Sequence, residues 1–121
     1  MMTVKECYEK IGADYESVLG RLRKDERIQK FLLKFLNDKS YELLCDSLET
    51  KNMEEAFRAA HTLKGVCQNL SLSPLYESSS ELAERLRDGK EYAADVDPLV
   101  EQVKKDYTHM MGCIHELAES E

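Results

Sequence analysis

Ala59-Ala60-His61-Thr62-Leu63-Lys64-Gly65 lies inside a longer segment, Asn52 to Ser71, whose periodicity reads as one amphipathic helix. Asn52 is a capping residue type and Glu55 sits three positions on, a variant of the capping box. Met53, Ala56, Ala60, Leu63, Cys67 and Leu70 then recur at helical spacing and define the buried stripe. At about 100° per residue, His61 lies about 140° from the middle of that stripe and so faces outward. Gly65 and Gln68 share its side, one and two turns on, and Lys64 borders it.

This arrangement suits one chemistry. Neutral imidazole is a nucleophile near pH 7. A phosphoryl group placed on it carries about two negative charges, which the Lys64 ammonium partly neutralises. Gly65 costs roughly 1 kcal/mol against alanine in a helix interior. Clearance beside the histidine, for a phosphoryl group and an approaching partner, accounts for it. A histidine on a helix surface is ordinarily just a solvated side chain, as is a lysine taken alone. The spacing of the three residues is what sets them apart.

His61-Thr62-Leu63-Lys64-Gly65, preceded by Ala60 and followed by Asn69-Leu70, resembles the signature of histidine-containing phosphotransfer (HPt) domains. The resemblance runs from Ile11 to Gly89, with Asp14 to Phe35 similar to the helical run before the phosphohistidine helix and Leu82 to Gly89 similar to the helix after it. Ser71 departs from it, standing where many members have glycine, as does Gln68, where a small residue is common.

The resemblance implies a phosphorelay intermediate. His61 would accept a phosphoryl group from an aspartyl-phosphate on a response-regulator receiver domain, or from a hybrid histidine kinase, and pass it to another receiver. Lys64 would give electrostatic support and Gly65 steric clearance. The expected partner-binding face lies around Phe57, Arg58 and Gln68. Arg87, at a place where the family often carries an arginine, is expected to assist docking. No intrinsic cofactor or metal is implied; the magnesium ion and most charge-stabilising groups would sit on the receiver. The chain has neither a G-x-x-x-x-G-K loop nor a cluster of metal-binding carboxylates, which fits a phosphocarrier without catalytic turnover of its own.

The totals agree with a small helical protein. At 121 residues the chain is expected to form one domain around a single core, and Met1-Met2 reads as a natural start. Two prolines, five glycines and no tryptophan fit helices better than a sheet. The formal charge of −7 disfavours nucleic acid and an anionic membrane surface as partners. No apolar run approaches the roughly 20 residues of a membrane span, and no signal-peptide pattern opens the chain, so a cytoplasmic location is expected. Cys7, Cys45, Cys67 and Cys113 are scattered without C-x-x-C spacing, and Cys45 and Cys67 fall on apolar faces as buried free thiols. His109 and Cys113, at i and i+4 with His115 nearby, lack a carboxylate partner and are weak evidence for a metal site.

Either side of the central segment, apolar rows mark further helices. Thr3 to Ile11, with Thr3 as its cap and stopped by Gly12, and Asp14 to Leu22, capped by Asp14, are short. Asp25 to Asn37 carries Ile28, Phe31, Leu32 and Phe35; the next row is Tyr41, Leu44, Cys45 and Leu48. The two rows are out of phase by about 120°, so a break is predicted at Asn37 to Lys39, with Ser40 capping a new helix up to Thr50. Ser73-Pro74 reads as a cap followed by proline at the first helical position, with Leu75, Ser79, Leu82 and Leu86 inward and Gly89 as the stop. Ser78, Ser79 and Ser80 read as small residues that let helices approach, and residues 90–95 as a polar connection. Asp97-Pro98 repeats the cap-and-proline start of a final helix of about 22 residues. Arg21, Arg23, Lys24 and Arg27 read as a solvated helix junction. The predicted fold is all-α, an antiparallel four-helix bundle with additional short N-terminal helices.

Two other classes of function fit the same pattern. A non-phosphorylated helical-bundle interaction module would use another face, with His61 incidental. A small metal-dependent enzyme would need His61 to share ligands with carboxylates on neighbouring helices. Acid-labile label on His61 separates the relay from both.

Overall fold

The computed structural model describes residues 1–89 and 91–120. Its helices are α1 (Val4–Ile11), α2 (Tyr15–Leu22), α3 (Asp25–Phe35), α4 (Ser40–Glu49), α5 (Met53–Asn69), α6 (Ser73–Leu86) and α7 (Val96–Glu119), with a 3-10 turn at Arg87–Gly89 between the last two. No strand occurs among the described residues. The fold is the all-α antiparallel bundle expected. α5 packs against α4 on one side and α6 on the other, α7 packs on α6, and α1 lies against α7. Tyr41 of α4 and Tyr107 of α7 stack with ring centroids 3.7 Å apart.

Local chemistry sets the first helix starts. Thr3 and Glu6 form a reciprocal capping box: the Thr3 hydroxyl accepts from the Glu6 N–H (3.1 Å) and the Glu6 carboxylate from the Thr3 N–H (2.8 Å). Gly12 ends α1 at φ 82°, a left-handed conformation that suits glycine. Asp14 caps α2 by accepting from the Ser17 N–H at 3.0 Å. Asn52 caps α5 by accepting from the Glu55 N–H at 3.2 Å. The reciprocal half of that box is missing, because the Glu55 carboxylate pairs with Arg58.

Other boundaries fall differently from the sequence expectation. The break between α3 and α4 is present, but Asp38, not Ser40, supplies the side-chain acceptor, taking the Ser40 N–H at 2.8 Å. Ser73 lies inside the first turn of α6, with Leu72 at the cap position. Asp97 is likewise helical, with Asp95 at the cap of α7, and its carboxylate takes the Tyr92 hydroxyl instead. α6 stops at Leu86 rather than Gly89, where the chain tightens into the 3-10 turn and Asp88 adopts φ 65°. Lys90, first residue of the polar connection, lies outside the described residues.

The core follows the apolar rows with instructive exceptions. All six residues of the α5 stripe are buried, joined by Ala59. In α3, Ile28, Leu32 and Phe35 are buried while Phe31 is exposed. α4 is rotated from its expected row, so that Ser40, Leu44 and Ser47 face inward and Tyr41, Cys45 and Leu48 are half-buried. Ser78 and Ser79 are buried in α6, and the Ser79 hydroxyl donates to the Leu75 carbonyl at 2.6 Å, the usual way a serine is satisfied inside a helix.

The N-terminal helices brace the end of α5. The Tyr8 hydroxyl donates to the Leu70 carbonyl (2.7 Å), the Asp14 N–H to the Ser71 carbonyl (3.1 Å) and the Arg21 guanidinium to the Gln68 carbonyl (2.9 Å) and the Asn69 carbonyl. Arg21 is exposed, as a solvated junction residue would be, but its charge is also committed to the carbonyls where α5 stops. It adds a second donor to the Gln68 carbonyl, which the Ser71 N–H already reaches at 3.2 Å, and a donor to the Asn69 carbonyl. Ser71, in the turn between α5 and α6, holds φ 55° and donates its hydroxyl to the Ser17 hydroxyl at 2.9 Å. On the opposite side, a ring nitrogen of His109 on α7 meets the Lys10 carbonyl at 2.8 Å.

Candidate functional site

His61 sits at the middle of α5, on the face away from the buried row, and its side chain is exposed. Among the described residues, neither of its ring nitrogens has a hydrogen-bond partner. Its single ring contact among the described residues is with Phe57, one turn earlier, at a centroid separation of 5.8 Å and an interplanar angle of 29°. Helix geometry dictates that contact. Cα–Cβ bonds tilt toward the helix N-terminus, so a side chain covers the turn before its own position. The His61 imidazole therefore leans back over Phe57.

The same tilt gives Lys64 and Gly65 their meaning. The Lys64 side chain leans back toward the turn that carries His61. It is half-buried and forms no ion pair with any described residue, so its charge is uncommitted. A side chain at position 65 would lean back over His61. A Cβ built on Gly65 meets no heavy atom within 4 Å, so packing within the chain does not require glycine there. Gly20 and Gly112 are equally open, so it is the position beside His61 that gives this gap a use.

The expected flanking residues fall on two sides of that face. Arg58 is exposed and paired with Glu54 (3.3 Å) and Glu55 of its own helix, which hold its charge locally. Gln68 is exposed two turns beyond His61. Arg87, in the 3-10 turn after α6, reaches across to α5, where its guanidinium carbon stands 5.5 Å from the Phe57 ring centroid. It also pairs with Glu84 at 3.0 Å. Arg85, of like charge two residues earlier, turns the other way and binds Asp95 in a two-pronged contact of 2.6 and 3.0 Å.

Sequence periodicity missed one feature. A groove of about 440 Å³ runs between α2, α3 and the C-terminal half of α5, lined by Leu22, Phe31, Phe35, Val66, Asn69 and Leu70 among others. Asn69, exposed and about 80° around α5 from His61, lines the groove. Phe31 belongs to an apolar row and was expected to be buried with it. Nothing in α3 alone reveals that no neighbouring element covers it.

The cysteines are free thiols: Cys7, Cys67 and Cys113 are buried and Cys45 is half-buried. Burial pushes the Cys7 thiol up to about 12 and raises Cys67 and Cys113 as well, which leaves all three unreactive at neutral pH. The His109 ring nitrogen that meets Lys10 is 3.9 Å from the Cys113 sulfur, and among the described residues no group of three or more His, Cys, Asp or Glu side chains is placed to hold a metal ion.

An all-helical bundle with an exposed histidine, a cation one turn on and open backbone beyond it describes a class of phosphotransfer module. The Hpt domain family model matches residues 32–117, more than half of the chain, and the chain belongs to that family. It is thus a histidine-containing phosphotransfer module of two-component signalling, and its relatives are phosphocarriers that interact with receiver domains and histidine kinases. The matched span begins at Leu32, inside α3, and takes in nearly all of α7, whereas the resemblance read from sequence ran from Ile11 to Gly89. Searches of curated proteins and of solved structures give no match. No helix among the described residues is long and apolar enough to cross a membrane.

Proposed function

We propose that His61 is the phosphoacceptor of a phosphorelay, taking the phosphoryl group from an aspartyl-phosphate on a receiver domain and passing it to a second receiver. A histidine kinase is an alternative donor. The lone pair of the unprotonated ring nitrogen attacks phosphorus in line. The N–P bond forms as the bond from phosphorus to the carboxylate oxygen breaks, and the aspartate leaves with the electron pair. Such a transfer needs positioning and charge neutralisation more than covalent work by the protein.

The observation that carries this reading is the exposed imidazole, without a hydrogen bond to any described residue, with an ammonium one turn on that pairs with no described residue, and open space over Gly65. Lys64 offsets charge on the phosphoryl oxygens, and Gly65 leaves room for the receiver. The docking face takes in Arg58, Gln68 and the groove beside Phe31, with Phe57 and Arg87 at its other border. The magnesium ion of the reaction belongs to the receiver, and the chain works in the cytoplasm as a carrier with no turnover of its own.

Incubation with a phosphorylated receiver domain tests the reading. Acid-labile label should appear on the wild type and be absent from His61→Gln. Label retained by His61→Gln overturns the assignment. No label from any receiver or kinase favours an interaction module that uses another face.

A further inference from the structure

We propose that Phe57 is a positioning residue for His61, holding the imidazole in one rotamer while Arg87 holds the phenyl ring. The inference rests on His61 being the phosphoacceptor, and it moves Phe57 from the partner-binding face to a role inside the chain.

Among the described residues the imidazole has no other ring contact and no ion pair. Neither ring nitrogen is hydrogen-bonded to a described residue, and the ring-bearing torsion of histidine is intrinsically broad. The 5.8 Å separation and 29° tilt between the Phe57 and His61 rings fall within the range of favourable aromatic pairs. Phe57 is restrained in turn. The Arg87 guanidinium lies over its ring at 5.5 Å, inside the distance at which a cation is attracted to an aromatic face. Glu84 holds Arg87 at 3.0 Å from the preceding turn. A continuous row, Glu84–Arg87–Phe57–His61, therefore runs from the end of α6 to the reacting ring. A nucleophile held near its attack geometry reacts faster than one that must find it.

A docking residue and a positioning residue differ in one respect: the second matters even when no protein partner is present. Phosphoramidate is a small phosphoryl donor that needs no docking face. Its P–N bond breaks as the His61 lone pair forms a new one, and ammonia leaves with the electron pair and a proton. Phe57→Ala should be labelled by phosphoramidate about fivefold more slowly than the wild type. Phe57→Tyr, which keeps the ring, should restore the rate, whereas Phe57→Leu, which keeps only the apolar bulk, should not. Arg87→Ala should fall between.

Three-bond NMR couplings to the His61 side chain give an independent readout. The wild type and Phe57→Tyr should show one rotamer, and Phe57→Leu an average over several, with backbone amide spectra otherwise alike. Equal labelling rates for the wild type and Phe57→Ala, or a His61 ring already averaged in the wild type, overturns the proposal. Label retained on His61→Gln, or none on the wild type, instead overturns the reading of His61 as acceptor. The couplings then still decide whether Phe57 fixes the ring.

Discussion

The Tyr8 hydroxyl of α1 donates to the Leu70 carbonyl at 2.7 Å, joining residues 62 positions apart at the foot of the helix that carries His61. Tyr8 is fully buried, so its hydroxyl has no water to turn to. Tyr8→Phe leaves the ring packed but strands the Leu70 carbonyl. The expected loss is about 1–2 kcal/mol, read as a lower urea midpoint with an unchanged slope.

Arg21 caps the same helix end from α2 through the Gln68 and Asn69 carbonyls. The side chain is exposed, so solvent takes over part of its work when it is removed. Arg21→Ala should cost about 1 kcal/mol, and amide exchange should quicken in the last turn of α5 while the middle of the helix stays protected.

Gly65 separates stability from function. Because a Cβ there meets nothing within 4 Å, Gly65→Ala should stabilise the protein by about 0.5–1 kcal/mol. Gly65→Gln should fold as well as the wild type yet transfer at least about tenfold more slowly from a receiver, since its side chain leans back over His61. Full transfer by Gly65→Gln in a stopped-flow assay would end the steric argument.

Lys64→Ala should leave the melting curve almost unchanged, because the ammonium forms no ion pair with a described residue. Transfer should slow by roughly tenfold, which corresponds to about 1.4 kcal/mol on the barrier. Lys64→Arg should recover much of it.

The buried thiols set an alkaline limit. Burial raises the Cys7 thiol from its ordinary 9.0 to about 12, so between those values the unfolded chain has lost a proton that the folded chain keeps. Fewer protons on the unfolded state means stability falls as pH rises. Denaturant melts should show the Cys7 contribution in full below pH 9 and a decline from that thiol of about 1.4 kcal/mol per pH unit through pH 10 and 11. Cys7→Ser should soften the decline.

Features governed by neighbours in sequence were legible, and those governed by distant packing were not. The caps at Thr3, Asp14 and Asn52 each act over three residues, and their sequence signals match the structure. The break between α3 and α4 followed from a phase slip between two apolar rows, but its capping residue did not: Asp38 reaches the Ser40 amide from the loop. Ser73 and Asp97 carry the right chemistry one or two residues inside the helix, the ordinary uncertainty of a boundary. The outward direction of His61 could be read from a helical wheel. Its contact with Phe57 is local too, at i and i+4, but the Arg87 contact crosses 30 positions and needed the fold. The acceptors of Arg21 stayed out of reach for the same reason, since they lie on a helix more than 40 residues away.

Ser71 stands at a left-handed position, and its hydroxyl and carbonyl are engaged by Ser17 and Asp14. Those two residues, with Tyr8 and Arg21, precede the span matched by the family, which begins at Leu32. Trimming an expressed fragment to that boundary would thus remove every one of these attachments at once. The truncated product would keep the histidine and its neighbours in sequence, yet lose the splint that stiffens the rod beneath them.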